Sequence, residues 1–378
     1  MKQTRRDFLR GAVGWGGLLL AGSLELRAVR SAEPIRRAHR YLAAQQSADG
    51  AWRSGRYAAF REGDVLTPVV LWAMQAEHSE RGGAATFTRG LEWLRQLTDT
   101  SFSRESPWPA LRYPLFTASY AAQVFAREGD ADRAAAWVKI IEALRTSEAL
   151  GWPATDPLCG AWSDAAAPPR YVTPVPDMLA PNISATALAA VALSSAGHDP
   201  QMALPFIERC QNFAFDKGTQ FDDGGFFFAL NDPIRNKAGS AGRDILGQER
   251  FHSYGSATSD GYLALRACGL PREHPRVEGA AAWLWQRSDG LTNGGRWADG
   301  RAAARASLAF YQSQALASVL AELHFATSWS RTLRGSMTSA LVTKQGHDGA
   351  WQGLAPDSCE DEPLLASAFA LRALALLA

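Results

Sequence analysis

The sequence predicts an all-α chain folded as an (α/α)6 toroid, a double ring of inner and outer helices. Three observations predict it. A Gly-x-Trp turn recurs along the chain. Each turn stands between two helical patterns. The second pattern of each pair is much more apolar than the first. Recurrence at a period of roughly 60 residues marks a repeat architecture, and this sets the layout before any residue is given a role.

The turns come first. Two belong to long motifs: Arg37, Ala38, Tyr41, Leu42, Gln45, Gly50 and Trp52 near the start, and Arg334, Gly335, Leu341, Gln345, Gly349 and Trp351 near the end. Cys159-Gly160-Ala161-Trp162 and Gly294-Gly295-Arg296-Trp297 lie between them, with degenerate members at Trp108 and Phe226. The six aromatic positions are separated by 56, 54, 64, 71 and 54 residues.

The second helices are expected at Leu66–Met74, Leu115–Phe125, Ile183–Leu193, Ala257–Cys268, Leu308–Leu320 and Leu364–Leu377. A helix that is apolar around most of its circumference has to be buried on most sides. The first helices carry more charge, as at Arg89, Glu92 and Arg95 around Leu91, Trp93 and Leu94. Apolar helices inside and amphipathic ones outside satisfy this asymmetry. An open superhelical solenoid is the alternative. Six repeats without a polar terminal cap favour closure.

With 378 residues, 47% of them hydrophobic, and 13 Trp, the chain can build a large core without disulfides or metal. The formal net charge is +1, and no basic surface points to nucleic acid. The four cysteines form no CxxC pair, which argues against a zinc ribbon. Cys210 and Cys268 fall in apolar helical patterns and read as core residues. Cys159 and Cys359 fall in loops and could pair in an oxidising compartment.

The first 32 residues hold six Lys/Arg and two acids, a net of +4; the rest therefore sums to −3. Thr4-Arg5-Arg6-Asp7-Phe8-Leu9-Arg10 resembles a twin-arginine export signal, followed by a short glycine-rich apolar stretch. The domain reading is a signal over 1–32 and one toroid over 33–378. Export to the periplasm or another extracytoplasmic space is expected. Without a clean Ala-x-Ala site, the segment could also stay as a tether and give peripheral membrane contact.

On these turns the chain resembles the squalene–hopene and oxidosqualene cyclases, and more distantly the β subunits of protein prenyltransferases. The resemblance spans about residues 33–378. It implies that the Gln of each motif bonds backbone groups at neighbouring helix ends and that the Trp packs in the turn. Gln45, Trp52, Gln345 and Trp351 are then braces between helices.

The resemblance also says where an acid should stand. Those cyclases protonate an alkene with an Asp in an Asp-x-Asp-Asp-Thr-Ala pattern at an inner-helix start. The matching stretch here is Asn182-Ile183-Ser184-Ala185-Thr186-Ala187, which keeps Thr186 and Ala187 and loses every carboxyl. An amide does not donate a proton to an alkene. Asn182 reads as a helix cap. The prenyltransferase zinc set is incomplete too: Asp357-Ser358-Cys359 has no later histidine.

Asp260 becomes the candidate acid. The run from His252 to Gly261 opens the fourth inner helix and holds Tyr254, Ser256 and Thr258. Ser256 and Asp260 share a helix face at i, i+4. An acid in an apolar helix has its pKa raised by burial, which suits a general acid. A polar helix start bonded to a neighbouring loop is the other role open to it. Trp72, Tyr120, Asn182, Thr186, Tyr254, Ser256, Thr258, Tyr311, Gln312 and Asp361, with Tyr113, Phe116 and Gln314, are expected to line a cavity. Asp357, Glu360, Asp361 and Glu362 precede the sixth inner helix. Their spacing admits a weak magnesium site at Asp357 and Asp361, or acids answering a helix N-terminus. No other cofactor is expected.

Three functions remain open at this point. One is an exported toroid whose central cavity binds, and in one version transforms, a small hydrophobic isoprenoid-like molecule or lipid. The second is a non-catalytic binding or scaffold toroid. The third is a glycan-active lyase or hydrolase, with Asp260 and Asp361 as its carboxyl pair if they face one rim. Fold alone does not choose among them.

Overall fold

A computed structural model describes residues 32–76, 83–102, 111–215, 218–230, 232–288, 290–323, 328–354 and 356–378. The expected signal and the Trp108 turn lie outside the described residues.

The described chain is almost entirely helical. In order the helices are α1 (32–45), α2 (Leu66–Met74), α3 (Ala84–Phe102), α4 (Pro114–Glu128), α5 (Ala131–Ala143), α6 (Ile183–Ser195) and α7 (Leu204–Arg209). Then follow α8 (Gly255–Ala267), α9 (Pro275–Arg287), α10 (Ala302–Ala306), α11 (Ala309–Leu323), α12 (Ser328–Lys344) and α13 (Pro363–Leu377).

Six of them form a closed inner ring. α2 packs on α4, α4 on α6, α6 on α8, α8 on α11, α11 on α13, and α13 returns to α2. These are the six apolar segments of the sequence. Every residue of α2 is buried, as are most of α13. The outer helices α3, α5, α9 and α12 lie against this ring and bury one face each. The architecture is an (α/α)6 toroid, as the apolar asymmetry requires.

Starts and stops follow local chemistry. Pro114, Pro275 and Pro363 occupy first-turn positions, where a missing N–H costs nothing. Asn182 caps α6 through Oδ1, which accepts from the Ala185 N–H at 2.8 Å. Asp130 caps α5, and Gly129 ends α4 in the left-handed region at φ 75°.

The Gly-x-Trp turns brace neighbouring repeats. Trp52 Nε1 donates to the Leu42 carbonyl and Trp351 Nε1 to the Leu341 carbonyl, both at 2.8 Å. Trp162 Nε1 reaches Ile141 in the same way. Gln345 Nε2 donates to the Gly349 and Pro34 carbonyls, which ties the last turn to the first helix. Gly349 has φ 93°, and a Cβ there would lie 2.4 Å from the Arg37 carbonyl oxygen. Only glycine lets the backbones meet this closely, so this contact closes the ring.

Gln45 is corrected. It is exposed, and its neighbour Gln46 donates to the Gly50 and Thr86 carbonyls. Gln46 stands four residues before Gly50, as Gln345 does before Gly349, so the repeat register selects it.

One element was not expected. A β-hairpin, β1 (Ser240–Arg243) and β2 (Glu249–Phe251), precedes α8. Asp244 Oδ1 organises its tip by accepting from the Leu246 and Gln248 N–H groups. Its short strands carry no alternating apolar pattern. All four cysteines are free thiols, Cys159 and Cys359 included. Among the described residues no helix is long and apolar enough to cross a membrane.

Candidate functional site

The inner ring encloses a cavity of about 380 Å³. At its upper rim are the first turns of the inner helices, with Tyr113, Asn182, Tyr254 and Ser256. Gln123, Val191, Leu263, Ser318 and Arg372 lie two turns further along those helices and form its floor. Trp72, Phe116, Tyr120, Phe228, Leu188 and Leu308 supply apolar wall. Trp72 and Phe116 each meet Tyr120 edge-on, at 4.7 and 4.6 Å between ring centroids.

Asp260 reaches this cavity from α8 and is buried. Ser256 lines it from the same helix face, one turn earlier. Tyr311 of α11 places its hydroxyl 2.9 and 3.0 Å from the two Asp260 oxygens. Ser184 of α6 donates to Oδ2 at 2.5 Å. Three inner helices therefore converge on one carboxyl group.

Burial raises the Asp260 carboxyl to about 7, because ionisation would place a charge in an apolar surround. The Ser184 and Tyr311 hydrogen bonds favour the carboxylate and oppose this shift, and burial prevails. Near neutral pH the group is poised between acid and base. Burial and the neighbouring Asp260 carboxyl hold the Tyr311 phenol well above its ordinary value, so it stays a donor. The helix carrying Tyr311 is itself fixed by Glu360, whose carboxylate accepts the Phe310 and Tyr311 N–H groups at 3.2 and 2.7 Å.

Of the residues expected at the cavity, Trp72, Tyr120, Asn182, Tyr254, Ser256, Asp260 and Tyr311 line it. Four do not. Thr186 Oγ1 accepts the Trp162 N–H at 3.2 Å, and Thr258 Oγ1 accepts the Phe226 N–H at 3.0 Å. Thr67 and Ser367 do the same for Trp52 and Trp351. Thr67, Thr186, Thr258 and Ser367 are all braces. Residues two apart on a helix point about 200° apart, so Ser184 and Ser256 face the cavity while Thr186 and Thr258 face the turns. Gln312 is fully buried against Gly255, where a glycine Cβ would come within 2.8 Å of its Nε2.

Asp361 is the fourth correction. It binds the Tyr57 hydroxyl and Arg56, the latter at 3.1 Å, outside the cavity. The acidic run serves helix ends and loops: Glu360 holds the start of α11, and Glu362 caps α13 and accepts from Ser54. Among the described residues no cluster of His, Cys, Asp and Glu fits a metal ion, and the Asp357 side chain lies outside them. His252 precedes the start of α8 and is absent from the cavity wall.

Several lining residues escaped the sequence reading: Ser184, Gln123, Asp164, Lys237 and Arg372. Arg372 carried a readable signal, as the only charged side chain in α13. Ser184 sits where the cyclase pattern keeps a carboxyl. Here that position supplies a hydroxyl to an acid held by another helix.

Solved structures share this architecture. A complex of the type II terpene cyclase MstE from Scytonema with geranylgeranyl dihydroxybenzoate matches at TM-score 0.58 and 13% identity, covering 94% of this chain and 99% of that one. A complex of the same cyclase with merosterolic acid A matches at 0.59 and 15%, covering 93% and 98%. An α-1,6-mannanase of Salegentibacter bound to α-1,6-mannotriose matches at 0.57 and 12%, covering 92% and 100%. The likeness is one of fold. No family model matches the sequence, and no curated protein is similar to it.

Proposed function

We propose that the toroid binds a hydrophobic, isoprenoid-like molecule in its central cavity and that Asp260 is the proton donor acting on it. The observation that carries this reading is the buried Asp260 carboxyl, held by Tyr311 and Ser184 on the wall of an aromatic and aliphatic cavity. The volume falls within the ordinary range for small-molecule sites. The similar terpene cyclase complexes contain prenylated molecules, in keeping with such an occupant.

The acid strength narrows the chemistry. A carboxyl near 7 is a weak acid, and an isolated alkene is a very poor base. An oxygen on the isoprenoid, such as an epoxide or allylic alcohol, accepts a proton far more readily. Proton transfer from Asp260 to that oxygen breaks its C–O bond, the oxygen staying as a hydroxyl from an epoxide or leaving as water from an alcohol. The cation forms among Trp72, Tyr120 and Phe116, whose ring faces attract positive charge, and is quenched when an adjacent C–H returns its proton to the Asp260 carboxylate. Tyr311 and Ser184 stabilise the carboxylate that remains.

The mannanase likeness suggests a glycan reading, which the cavity supports less well. A sugar presents hydroxyls on every edge, and most of this wall offers no partner for them. Asp361 cannot pair with Asp260 there, since it lies outside the cavity.

We also propose export by the twin-arginine route, on the Thr4–Arg10 run. A reporter that folds only after export, fused behind residues 1–40, tests this with Arg5 and Arg6 changed to Lys.

Mass spectrometry of lipids extracted from the purified protein tests the binding reading. It predicts a co-purifying isoprenoid, displaced when Leu188→Trp and Leu263→Trp fill the cavity. Polar or sugar ligands in its place would overturn the reading.

A further inference from the structure

Arg372 is a cation on the cavity floor without a protein counter-ion. It occupies the third turn of an otherwise apolar α13. Its guanidinium stacks over Trp72 at 3.7 Å from the ring centroid. Nη1 donates to the Trp72 carbonyl at 2.8 Å, one of the carbonyls left open at the end of α2. Nε is buried and has no partner. Among the described residues no carboxylate pairs with this side chain. Of the other charged groups on the wall, Asp164 and Lys237 lie in loops that precede inner helices, and Asp260 sits in the second turn of α8.

Such an arrangement is costly without a ligand. Burial pulls the Arg372 guanidinium down to about 9, and the neighbouring Arg127 adds repulsion. An arginine nonetheless stays protonated at neutral pH. A buried charge is ordinarily paired, and breaking such pairs is strongly destabilising. A single helix-end carbonyl and one ring face meet only part of the guanidinium's donor capacity, since its planar fork is shaped for two oxygens at once.

We infer that Arg372 anchors a carboxylate carried by the hydrophobic molecule in the cavity, so that the natural ligand is an isoprenoid acid. This rests on the proposed hydrophobic occupant and specifies its polar end. One buried guanidinium balances one negative charge. A phosphate monoester carries between one and two at neutral pH and would leave the excess uncompensated. The carboxylate end lies at the floor against Arg372 and Trp72. The chain then rises along Tyr120 and Phe116, and an oxygen nearer the rim comes within reach of Asp260.

Binding of farnesoic acid, its methyl ester and farnesyl monophosphate tests the assignment, followed by tryptophan fluorescence on the wild-type protein and on Arg372→Met and Arg372→Lys. Wild type is expected to bind the acid at least about tenfold tighter than the ester, the worth of a charge-assisted hydrogen bond. It should also prefer the acid to the phosphate. Arg372→Met should lose the preference and bind acid and ester with similar affinity. Arg372→Lys should keep part of the preference. Equal binding of acid and ester by wild type overturns the anchor while leaving the hydrophobic site standing, as does a preference that survives in Arg372→Met. Tighter binding of the phosphate also overturns the carboxylate assignment. Failure of wild type to bind any of the three overturns the hydrophobic site itself. The wild-type comparison decides the matter even where a variant fails to fold.

Discussion

The phenol of Tyr311 lies 2.9 and 3.0 Å from the two carboxyl oxygens of Asp260, joining α11 to α8 across the cavity wall. A single proton shared between two acceptors holds the carboxyl plane in one orientation. Tyr311→Phe removes this donor and leaves Ser184 alone on the carboxylate. The Asp260 carboxyl should then rise further above 7, because the lost bond favoured the charged form. The alkaline limb of the activity profile should move to higher pH, as measured on an epoxide-bearing isoprenoid.

Asp260 also makes stability depend on pH. Its folded carboxyl holds a proton more tightly than the unfolded chain does. The associated stability is complete below about pH 4 and is lost as pH rises through about 7. Glu360 contributes with the same sign, since burial raises it to about 7 as well. Thermal melts of wild type should therefore fall between pH 5 and pH 8. Asp260→Asn should flatten this slope and be the more stable protein at pH 8, by on the order of a few kcal/mol. A wild-type melting temperature that rises over this window would contradict the burial of these acids.

The braces should separate stability from ligand binding. Thr258→Val leaves the buried Phe226 N–H unpaired, and Thr186→Val does so for Trp162. Each should cost about 1–3 kcal/mol in denaturant titrations. Neither side chain lines the cavity, so affinity for a bound isoprenoid should hold within about twofold, a change below 0.5 kcal/mol.

Ring closure depends on Gly349. Alanine there places a Cβ 2.4 Å from the Arg37 carbonyl oxygen, in a backbone conformation L-residues avoid. Gly349→Ala should destabilise the protein by about 1–3 kcal/mol or more. Gly269→Ala is a fitting control: it shares the positive φ, at 83°, but has open space around it. A smaller loss at Gly349 than at Gly269 would mean that closure contributes little.

The ring was legible because burial on all sides leaves an apolar signature, as in the Leu66–Met74 and Leu364–Leu377 segments. The Gly-x-Trp turns were legible because the indoles of Trp52, Trp162 and Trp351 do one job, tying each turn to a carbonyl of the outer helix before it. Asp260 was found as an acid in an inner helix, and Ser256 followed from the i, i+4 rule. Thr186 and Thr258 were misplaced because a polar residue near a helix start can face either the turn or the cavity. Their register against Ser184 and Ser256 contained the answer, since a step of two residues reverses the face. The convergence of Ser184 and Tyr311 on Asp260 depends on how three helices separated in sequence pack together. No local pattern encodes that.

The central claim is that Asp260 delivers a proton to an isoprenoid held in the cavity. Its most direct test is incubation of wild type and Asp260→Asn with the terminal epoxide of farnesoic acid, with products followed by chromatography and mass spectrometry. Wild type is expected to yield a ring-opened isomer of unchanged mass. A loss of at least about 100-fold is expected in Asp260→Asn, as removal of a general acid implies, with binding retained. Equal turnover by the two proteins, or no turnover by a wild type that binds the epoxide, would contradict this role for Asp260.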